Sequence, residues 1–283
     1  MKLVVLKGGD EAIPLRAAAG AAKRNAGAVA VSLPGQAWVL VNVTPAVAEQ
    51  LGSDARLLQH TGLVDAPVRA VVLTDAQVDH VTGLLGLRDG PPIHLYATPA
   101  VFEELTHNLP VLPLLEHYCG VHWHVIPVAG ECREASFRVD GLPGIEFTAV
   151  ATEEPLPPHA SHFGNPAVGD SIALAVRELA GGQRFFCAGN LAAAGAIAVD
   201  WMNEADCVLL GGSDNCGGAA ARTATIAQFG QMGARRKLLM CRAGEDSTHD
   251  GGVLQGAAGR AAQQAELARE GIELALDRME IVL

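Results

Sequence analysis

Short apolar runs rich in Val, Ile, Leu and Phe recur from one end of the chain to the other. Most of these runs are too short for helices, and Gly, Pro, Asp or Asn residues bound them, which is typical of β-strands. A fold built from many short strands is therefore expected. The predicted strands cover residues 3–6, 28–33, 38–43, 70–73, 93–96, 122–126, 145–150, 172–176, 185–187, 207–210, 238–241, 272–276 and 279–283.

Turn and cap residues indicate how these strands are connected. The sequences Leu-Pro-Gly-Gln at 33–36 and Ala-Gly-Gly-Gln at 180–183 each separate two predicted strands and favour hairpins. Thr44 and Thr98 each precede a proline, which predicts helices that begin with a hydroxyl N-cap. A third helix is predicted over residues 257–270, where a glycine ends it.

The order of these elements constrains the architecture. Strands that are first paired by hairpins and then alternate with helices occur in both halves of the chain. Two mixed sheets packed face to face, with helices on the outer faces, bury such elements economically. We therefore predict an α/β fold, a four-layer αββα sandwich. The 283 residues suffice for one sizeable core, so we predict a single domain over 1–283 with pseudo-symmetric halves at about 1–150 and 151–283.

The charge balance argues against two classes of partner. Lys and Arg total 20 against 31 Asp and Glu, which gives a net charge of −11, and the largest basic cluster is the short run 235–237. Nucleic acid and anionic membrane surfaces are therefore not expected as partners. The charge balance does not decide the oligomeric state, and a homodimer is one alternative.

Targeting signals and cysteine motifs are not apparent in the sequence. No apolar segment reaches the length of a membrane span, and the chain opens on a strand rather than on a secretory signal, which predicts a cytoplasmic protein. The six cysteines are scattered, with no C-x-x-C pair. This pattern argues against a disulfide framework and against a tetrathiolate zinc site.

The most informative segment follows the strand predicted at 70–73. A polar loop places Asp79 beside His80, directly before a glycine-containing helix predicted over 81–87. A carboxylate and an imidazole fixed at a strand end are a good start for a metal site. Asp79 also stands where an N-cap would accept helix N–H bonds. Spacing alone leaves both interpretations open.

This segment resembles the signature of the metallo-β-lactamase superfamily, in which a strand-end loop carries His-x-His-x-Asp-His and binds two metal ions. The corresponding residues here are Asp75, Gln77, Asp79 and His80. The Asp-His pair matches, whereas the histidines that bind the first metal are missing. Asp75 and Gln77 are then expected to orient His80 or hold a water, or simply to satisfy the loop backbone.

A branch of that superfamily, the pyrroloquinoline quinone (PQQ) biosynthesis protein B family, is similar from the first strand to the last. The segment at 74–90, Thr-Asp-Ala-Gln-Val-Asp-His-Val-Thr-Gly-Leu-Leu-Gly-Leu-Arg-Asp-Gly, carries this resemblance most specifically. Further similar segments lie at 38–45, 95–99, 168–172 and 265–272. The resemblance implies the metallo-β-lactamase fold.

The chain also departs from the family pattern. The family has a cysteine-rich zinc loop after the first strand, but residues 7–25 contain no cysteine, so that zinc is not expected. A late Asp-Gly-Thr motif is Gly-Gly-Ser at 211–213, which removes a carboxylate. The histidine that ends the family's late C-terminal strand corresponds to Cys241.

The resemblance implies a role in PQQ biosynthesis. The implied reaction uses O2 and a mononuclear non-haem iron to hydroxylate a tyrosine of the precursor peptide, so a peptide or small-molecule PQQ precursor is the expected partner. Fe(II) would bind Asp79 and His80, with Cys241, His162 or His249 completing the site. Zn(II) is the alternative ion, and a protein without metal is the remaining alternative.

Two other functions stay open. A binding or carrier protein for PQQ or its precursor would keep the cavity and lose the metal, which the changes at Gly211 and Cys241 favour. A zinc-dependent hydrolase needs a metal-activated water and usually more histidines than this loop provides.

A separate pair, His122 and His124, lies on one face of a predicted strand. Residues two apart on a strand point the same way, so both imidazoles can chelate one metal while Trp123 faces the core. Two solvent-facing histidines are the other interpretation.

Overall fold

The computed structural model describes residues 1–7, 27–33, 37–51, 68–189, 194–211, 218–240, 247–249, 252–254 and 257–283. Within these residues the chain forms two seven-stranded sheets and one two-stranded sheet. The strands are β1 (Lys2–Lys7), β2 (Ala28–Ser32), β3 (Trp38–Val41), β4 (Val68–Val72), β5 (Ile93–Ala97), β6 (Val121–Val125), β7 (Glu134–Phe137), β8 (Ile145–Ala151), β9 (Ile172–Glu178), β10 (Arg184–Ala188), β11 (Cys207–Gly211), β12 (Arg236–Met240), β13 (Ser247–His249), β14 (Gly252–Leu254), β15 (Glu273–Leu274) and β16 (Met279–Val282).

Both large sheets are mixed. The first has the order β16-β1-β2-β3-β4-β5-β6 and the second β15-β12-β11-β10-β9-β8-β7. Strands β1 to β3 pair antiparallel, and β3 to β6 pair parallel. In the second sheet β7 to β10 are antiparallel, and the strands from β10 to β15 are parallel. The two predicted hairpins, β2 with β3 and β9 with β10, are confirmed.

Within the described part of the chain, helices are present at all four predicted places, and three further helices occur. They are α1 (Pro45–Leu51), α2 (Val78–Val81), α3 (Pro99–His107), α4 (Val111–Leu115), α5 (Gly195–Glu204), α6 (Gly218–Gly230) and α7 (Ala257–Arg269). The helix predicted over 81–87 begins earlier than expected, and its main part is the 3₁₀ helix Thr82–Leu87. Gly83 packs directly on the backbone of Val43 and Thr44, so a tertiary contact constrains this turn.

Three apolar clusters define the layers. The largest lies between the sheets and contains side chains of both, such as Val72 of β4, Phe147 of β8 and Leu174 of β9. A second cluster joins the outer face of the first sheet to α1 through α4, and a third joins the second sheet to α5, α6 and α7. The four-layer αββα sandwich is confirmed, and each sheet buries one face against the other sheet and one against helices.

Both predicted N-caps are present. The Thr44 hydroxyl accepts a hydrogen bond from the Val47 amide at 3.1 Å, and the Thr98 hydroxyl accepts one from the Val101 amide at 3.2 Å. The buried Thr98 hydroxyl also donates to the Gly169 carbonyl at 2.6 Å. One hydroxyl therefore caps α3 and fastens the segment that precedes β9.

Thr98→Ala is expected to lower the free energy of unfolding by about 2 kcal/mol, because it removes the cap and leaves a buried carbonyl without its donor. Thr98→Ser keeps the hydroxyl and loses only a methyl group, about 1 kcal/mol. Urea unfolding of both variants measures the difference. Equal losses in the two variants would show that the methyl group, and not the hydroxyl, matters.

Some elements were not predicted. The edge strand β7 carries alternating exposed and half-buried residues and so has no apolar run. Helices α4, α5 and α6 were also missed, and α5 contributes small side chains such as Ala198 to the core rather than a strong apolar stripe. The sequence pattern of these elements is weak, and packing against the sheets stabilises them.

The described cysteines are in no disulfide: they are Cys119, Cys132, Cys187 and Cys207. Cys187 and Cys207 belong to the core between the sheets, as predicted for packing residues, and burial raises the pKa of each thiol to about 12. Among the described helices, none is long and apolar enough to cross a membrane.

Candidate functional site

The candidate site begins where β4 ends. Leu73, Thr74 and Asp75 follow the strand, and α2 then carries Asp79 and His80. Asn42, just after β3, holds this loop: its side-chain oxygen accepts from the Thr74 amide at 3.0 Å. Asn42 has a φ of 60°, a backbone conformation that asparagine tolerates better than most residues. The ends of two neighbouring parallel strands are thereby joined.

The central contact of the loop is between Asp75 and His80. The His80 Nδ1 lies 2.7 Å from one carboxylate oxygen of Asp75 and 2.8 Å from the other. The same carboxylate accepts hydrogen bonds from the Gln77 amide at 2.8 Å and from the Thr74 hydroxyl at 2.9 Å. Both side chains are largely buried, with about a tenth of each exposed: 11% for Asp75 and 12% for His80. The imidazole is therefore held in one orientation.

Electrostatics strengthen this pair. Burial acts to raise the pKa of Asp75, but the charge and hydrogen bond of His80, with the bonds from Gln77 and Thr74, outweigh it and lower that pKa. Burial acts to lower the pKa of His80, but Asp75 outweighs it, and the nearby charges of Asp79 and Glu154 add to the increase. In the metal-free protein, the ionised carboxylate and the protonated imidazole stabilise each other.

The loop also contacts the second sheet. The Ile172 amide at the start of β9 donates to the Thr74 carbonyl at 2.8 Å, and Asp75 pairs with Ser171 in an isolated bridge. The side chain of Gln77 donates to the Pro155 carbonyl at 3.0 Å. The segment between β8 and β9 thus lies against the Asp75–His80 loop, and the candidate site is at the seam between the sheets.

Asp79 is placed differently from the expectation of an N-cap. The helix begins at Val78, its N-cap is Gln77 and no side chain makes the cap hydrogen bond. The N-cap interpretation of Asp79 is therefore wrong, because the helix starts at Val78 and Asp79 lies inside its first turn. Asp79 is exposed, and its charge acts on the neighbouring His80.

The other candidate ligands are not brought to His80 by a described contact. The His162 ring nitrogens lie 2.9 Å from the Ser161 hydroxyl and 2.9 Å from an Asp170 oxygen, and Ser161 in turn contacts Glu104. His249 is the last residue of β13, and its side chain is not described. The positions of Cys241 and of Gly-Ser at 212–213 lie outside the described residues.

Two residues of the segment that connects the second sheet's antiparallel strands were missed from the sequence. Glu154 acts on His80 through its charge, and its carboxylate is so near Gly189 at the end of β10 that a Cβ there would lie 2.8 Å from an oxygen. His159 has a buried Nε2 without a hydrogen-bond partner. Both residues lie in the connection between β8 and β9, and no spacing pattern distinguishes them.

His80 fits a transition-metal ion by its donor chemistry. Its Nδ1 is held by a carboxylate, which leaves Nε2 as the ligating atom, and histidine ligands usually have such a partner. Carboxylates at Asp79 and Glu154 make the surroundings favourable for a cation. Among the residues that the structure describes, no three or more His, Cys, Asp or Glu side chains are arranged to hold a metal ion. The described residues therefore provide only some of the ligands that a metal ion at His80 would need.

Comparisons with known proteins identify the relatives of the chain. A family model described as beta-lactamase superfamily domain matches residues 37–240. Coenzyme PQQ synthesis protein B of Methylobacillus flagellatus is 34% identical, over 93% of this chain and 89% of that protein. The protein of the same name from Klebsiella pneumoniae is 34% identical over 68% of this chain and 61% of its own length.

Solved structures agree on the fold. The zinc-bound PqqB of Methylobacterium extorquens superposes with a TM-score of 0.73 at 20% identity, covering all of both chains. A diphosphatase of the PhnP family superposes with a TM-score of 0.62 at 17% identity, covering 100% of this chain and 97% of the other. Taken with the family model and the sequence identity, the αββα sandwich and the Asp-His loop show that the chain belongs to the coenzyme PQQ synthesis protein B family of the metallo-β-lactamase superfamily.

Proposed function

We propose that the chain serves PQQ biosynthesis as a metal-dependent enzyme with its metal at His80. The observation that carries this proposal is the contact between His80 and Asp75, in which both carboxylate oxygens face Nδ1 at 2.7 and 2.8 Å. Because Asp75 holds Nδ1, the Nε2 atom of His80 is the nitrogen that can bind a metal ion. The names of the relatives, coenzyme PQQ synthesis protein B, support the pathway.

The described residues have distinct roles in this proposal. His80 is a ligand, and Asp75 positions its ring and holds the Nδ1 proton. Thr74 and Gln77 satisfy the remaining lone pairs of Asp75, so that carboxylate stays directed at His80. Asp79 provides an adjacent exposed carboxylate.

We infer that the remaining ligand comes from Cys241, His249 or His162. The first two follow β12 in the chain, whose parallel neighbour β11 ends at Gly211. His162 would have to exchange its hydrogen bonds with Ser161 and Asp170 for the metal. This requirement makes it the least favoured of the three.

The bound ion determines the reaction class. Fe(II) with open coordination positions would supply O2 activation, which hydroxylation of a tyrosine of the precursor peptide requires. The protein contributes orientation of His80 and a site whose loop is fastened to both sheets. Zn(II) is the alternative ion.

Metal retention tests the proposal directly. Purified full-length protein is reconstituted with Fe(II) under anaerobic conditions, or with Zn(II), and desalted before the metal content is measured. We expect a stoichiometric, tightly held ion in the wild type and its loss in His80→Ala. His117→Asn, which removes an exposed histidine elsewhere, is the control and should retain the ion. A wild type that retains no metal, or a His80→Ala variant that retains all of it, would contradict the proposal.

A binding or carrier function is the second candidate. It is favoured by Asp75, which occupies a histidine position of the superfamily signature and whose carboxylate contacts His80. In this case the protein binds PQQ or its precursor without tight metal, and calorimetry with PQQ measures that binding. Turnover with Fe(II) and O2 would exclude this alternative.

A further inference from the structure

Three histidines lie together at the edge of the first sheet, on strands other than the one that leads into the His80 loop. His94 is on β5, and His122 and His124 are on the edge strand β6. The parallel register pairs His94 with His122 and Tyr96 with His124. Because alternate residues of a strand share a face, all three imidazoles lie on the Tyr96 side of the sheet.

The neighbouring side chains on the opposite face fix this arrangement. Trp123 lies between the two histidines of β6, packs with the helix-side cluster and stacks on Phe102 of α3 with ring centroids 3.8 Å apart. Its indole nitrogen donates to the Ala97 carbonyl at 3.1 Å. The anchored tryptophan leaves His122 and His124 on the other face, as the sequence alternation predicted.

The rings lie close enough together for small shifts to make them ligands of one metal ion. The Nδ1 of His94 and the Nε2 of His124 share a hydrogen bond of 3.0 Å, in which one ring donates and the other accepts. Two nitrogens bound to one tetrahedral zinc ion are about 3.3–3.4 Å apart, because each Zn–N bond is about 2.0–2.1 Å long. The ring centroid of His94 lies 5.2 Å from that of His122 and 5.3 Å from that of His124. His94 is therefore the central ring of the three.

The surroundings favour neutral, accessible imidazoles. His122 is exposed, and His94 and His124 are half-buried, so an ion can reach them from solvent. Burial, and then the charges of His124 and His122, lower the pKa of His94. Arg69 and Asp140 act on His94 with opposite signs. Neutral imidazole is the form that binds metal.

We propose that His94 and His124, joined by His122, form a second site for a borderline transition-metal ion such as Zn²⁺ or Cu²⁺. The ion would replace the hydrogen bond between His94 and His124, and both rings would turn to direct a nitrogen lone pair at it. In the structure the three side chains are not arranged around one ion. His122 has to rotate about its side-chain bonds to become the third ligand, and water fills the remaining position. Because few protein ligands contribute, binding is weaker than at a closed structural site. The bound ion links β5 to the edge strand β6.

A titration in the His80→Ala background separates this site from the His80 centre. Tag-free, chelator-treated protein is titrated with Zn²⁺ by isothermal titration calorimetry at neutral pH. We expect saturable one-site binding that weakens about tenfold or more in His94→Gln and in His124→Gln, since each removes a ligand. His122→Asn is expected to weaken it less, and the matched control His117→Asn should leave it unchanged.

Spectroscopy and folding controls make the result specific. Cu²⁺ bound to the same protein should show imidazole nitrogen coupling in electron paramagnetic resonance, and His94→Gln should remove it. Metal-free variants must have the circular dichroism and melting temperature of their parent. Where His80→Ala does not fold, the weaker second phase in the wild-type titration is measured instead. Absence of saturable binding, or an equal loss in His117→Asn, would overturn the proposal and indicate scattered surface binding.

Discussion

In Asp75→Asn, the free energy of unfolding of the metal-free protein is expected to fall by about 3 kcal/mol, and the metal affinity at His80 by about 10- to 100-fold. Asparagine has the same shape but cannot balance the charge of the buried imidazole. If its one oxygen accepts from the Gln77 amide, its amide nitrogen faces the Thr74 hydroxyl and cannot accept the bond that the carboxylate receives at 2.9 Å. Stability and ligand orientation are therefore lost together.

The pH dependence of this loss has a definite sign. The pKa of Asp75 is lowered in the folded protein, so its contribution to stability disappears as the pH falls through that folded value. The pKa of His80 is raised, so its contribution disappears as the pH rises through the folded value. The difference between wild type and Asp75→Asn should be largest between the ordinary pKa values of the two groups, about 4 to 6.5.

Denaturant unfolding of both metal-free proteins across that range measures the difference. Burial lowers the pKa of His80, and Asp75 raises it. In Asp75→Asn the pKa of His80, measured by nuclear magnetic resonance, should therefore be lower than in the wild type. Asp79→Asn, which changes an exposed carboxylate in the same loop, is the matched control and should cost far less stability. If the difference in the free energy of unfolding between wild type and Asp75→Asn did not change with pH, Asp75 and His80 would not form an ion pair.

Gly83→Ala is expected to destabilise the protein by about 3 kcal/mol, because a new Cβ would collide with rigid backbone. A Cβ at Gly83 would lie 2.5 Å from the Val43 carbonyl oxygen and nearer still to that of Thr44. The Gly83 amide donates to that same Val43 carbonyl at 3.0 Å. No flexible side chain is available to absorb the overlap.

The collision should also be detected at His80. The Val43 amide donates to the His80 carbonyl at 2.8 Å, so a displaced Val43 displaces the loop. Thermal melting and metal retention of Gly83→Ala measure the two effects. Gly181→Ala is the control, since that residue is exposed and the contacts of a new Cβ there are at 3.4 Å or more. Similar melting temperatures for the two variants would refute the expected overlap.

Much of the fold was predictable because local signals agreed with the packing. The strands of both sheets match apolar runs bounded by breakers, and Thr44 and Thr98 cap α1 and α3 as their prolines indicated. Where the local signal was weak, as in β7, the prediction failed. An edge strand that exposes alternate residues gains its stability from pairing with β8, which the sequence does not display.

The site was predictable only in part. His80 was identified from the Asp-His motif, and Asp75 was one of two expected neighbours; the structure shows that it contacts the ring directly. Glu154 could not be found, because it lies in the connection between β8 and β9 of the other sheet and its charge acts on His80 only in the folded chain. A long-range contact of this kind leaves no periodic trace in the sequence. The ligand assignments of Cys241, His162 and His249 stay predictions.

The bond from the Ile172 amide to the Thr74 carbonyl has a consequence for how the protein can vary. Residues 171–172 are remote in the chain from the Asp-His motif, yet they support its backbone. Neither sheet can slide past the other without moving His80. Any transfer of this loop to a different scaffold must therefore include the start of β9, because the backbone of the motif depends on a hydrogen bond from that strand.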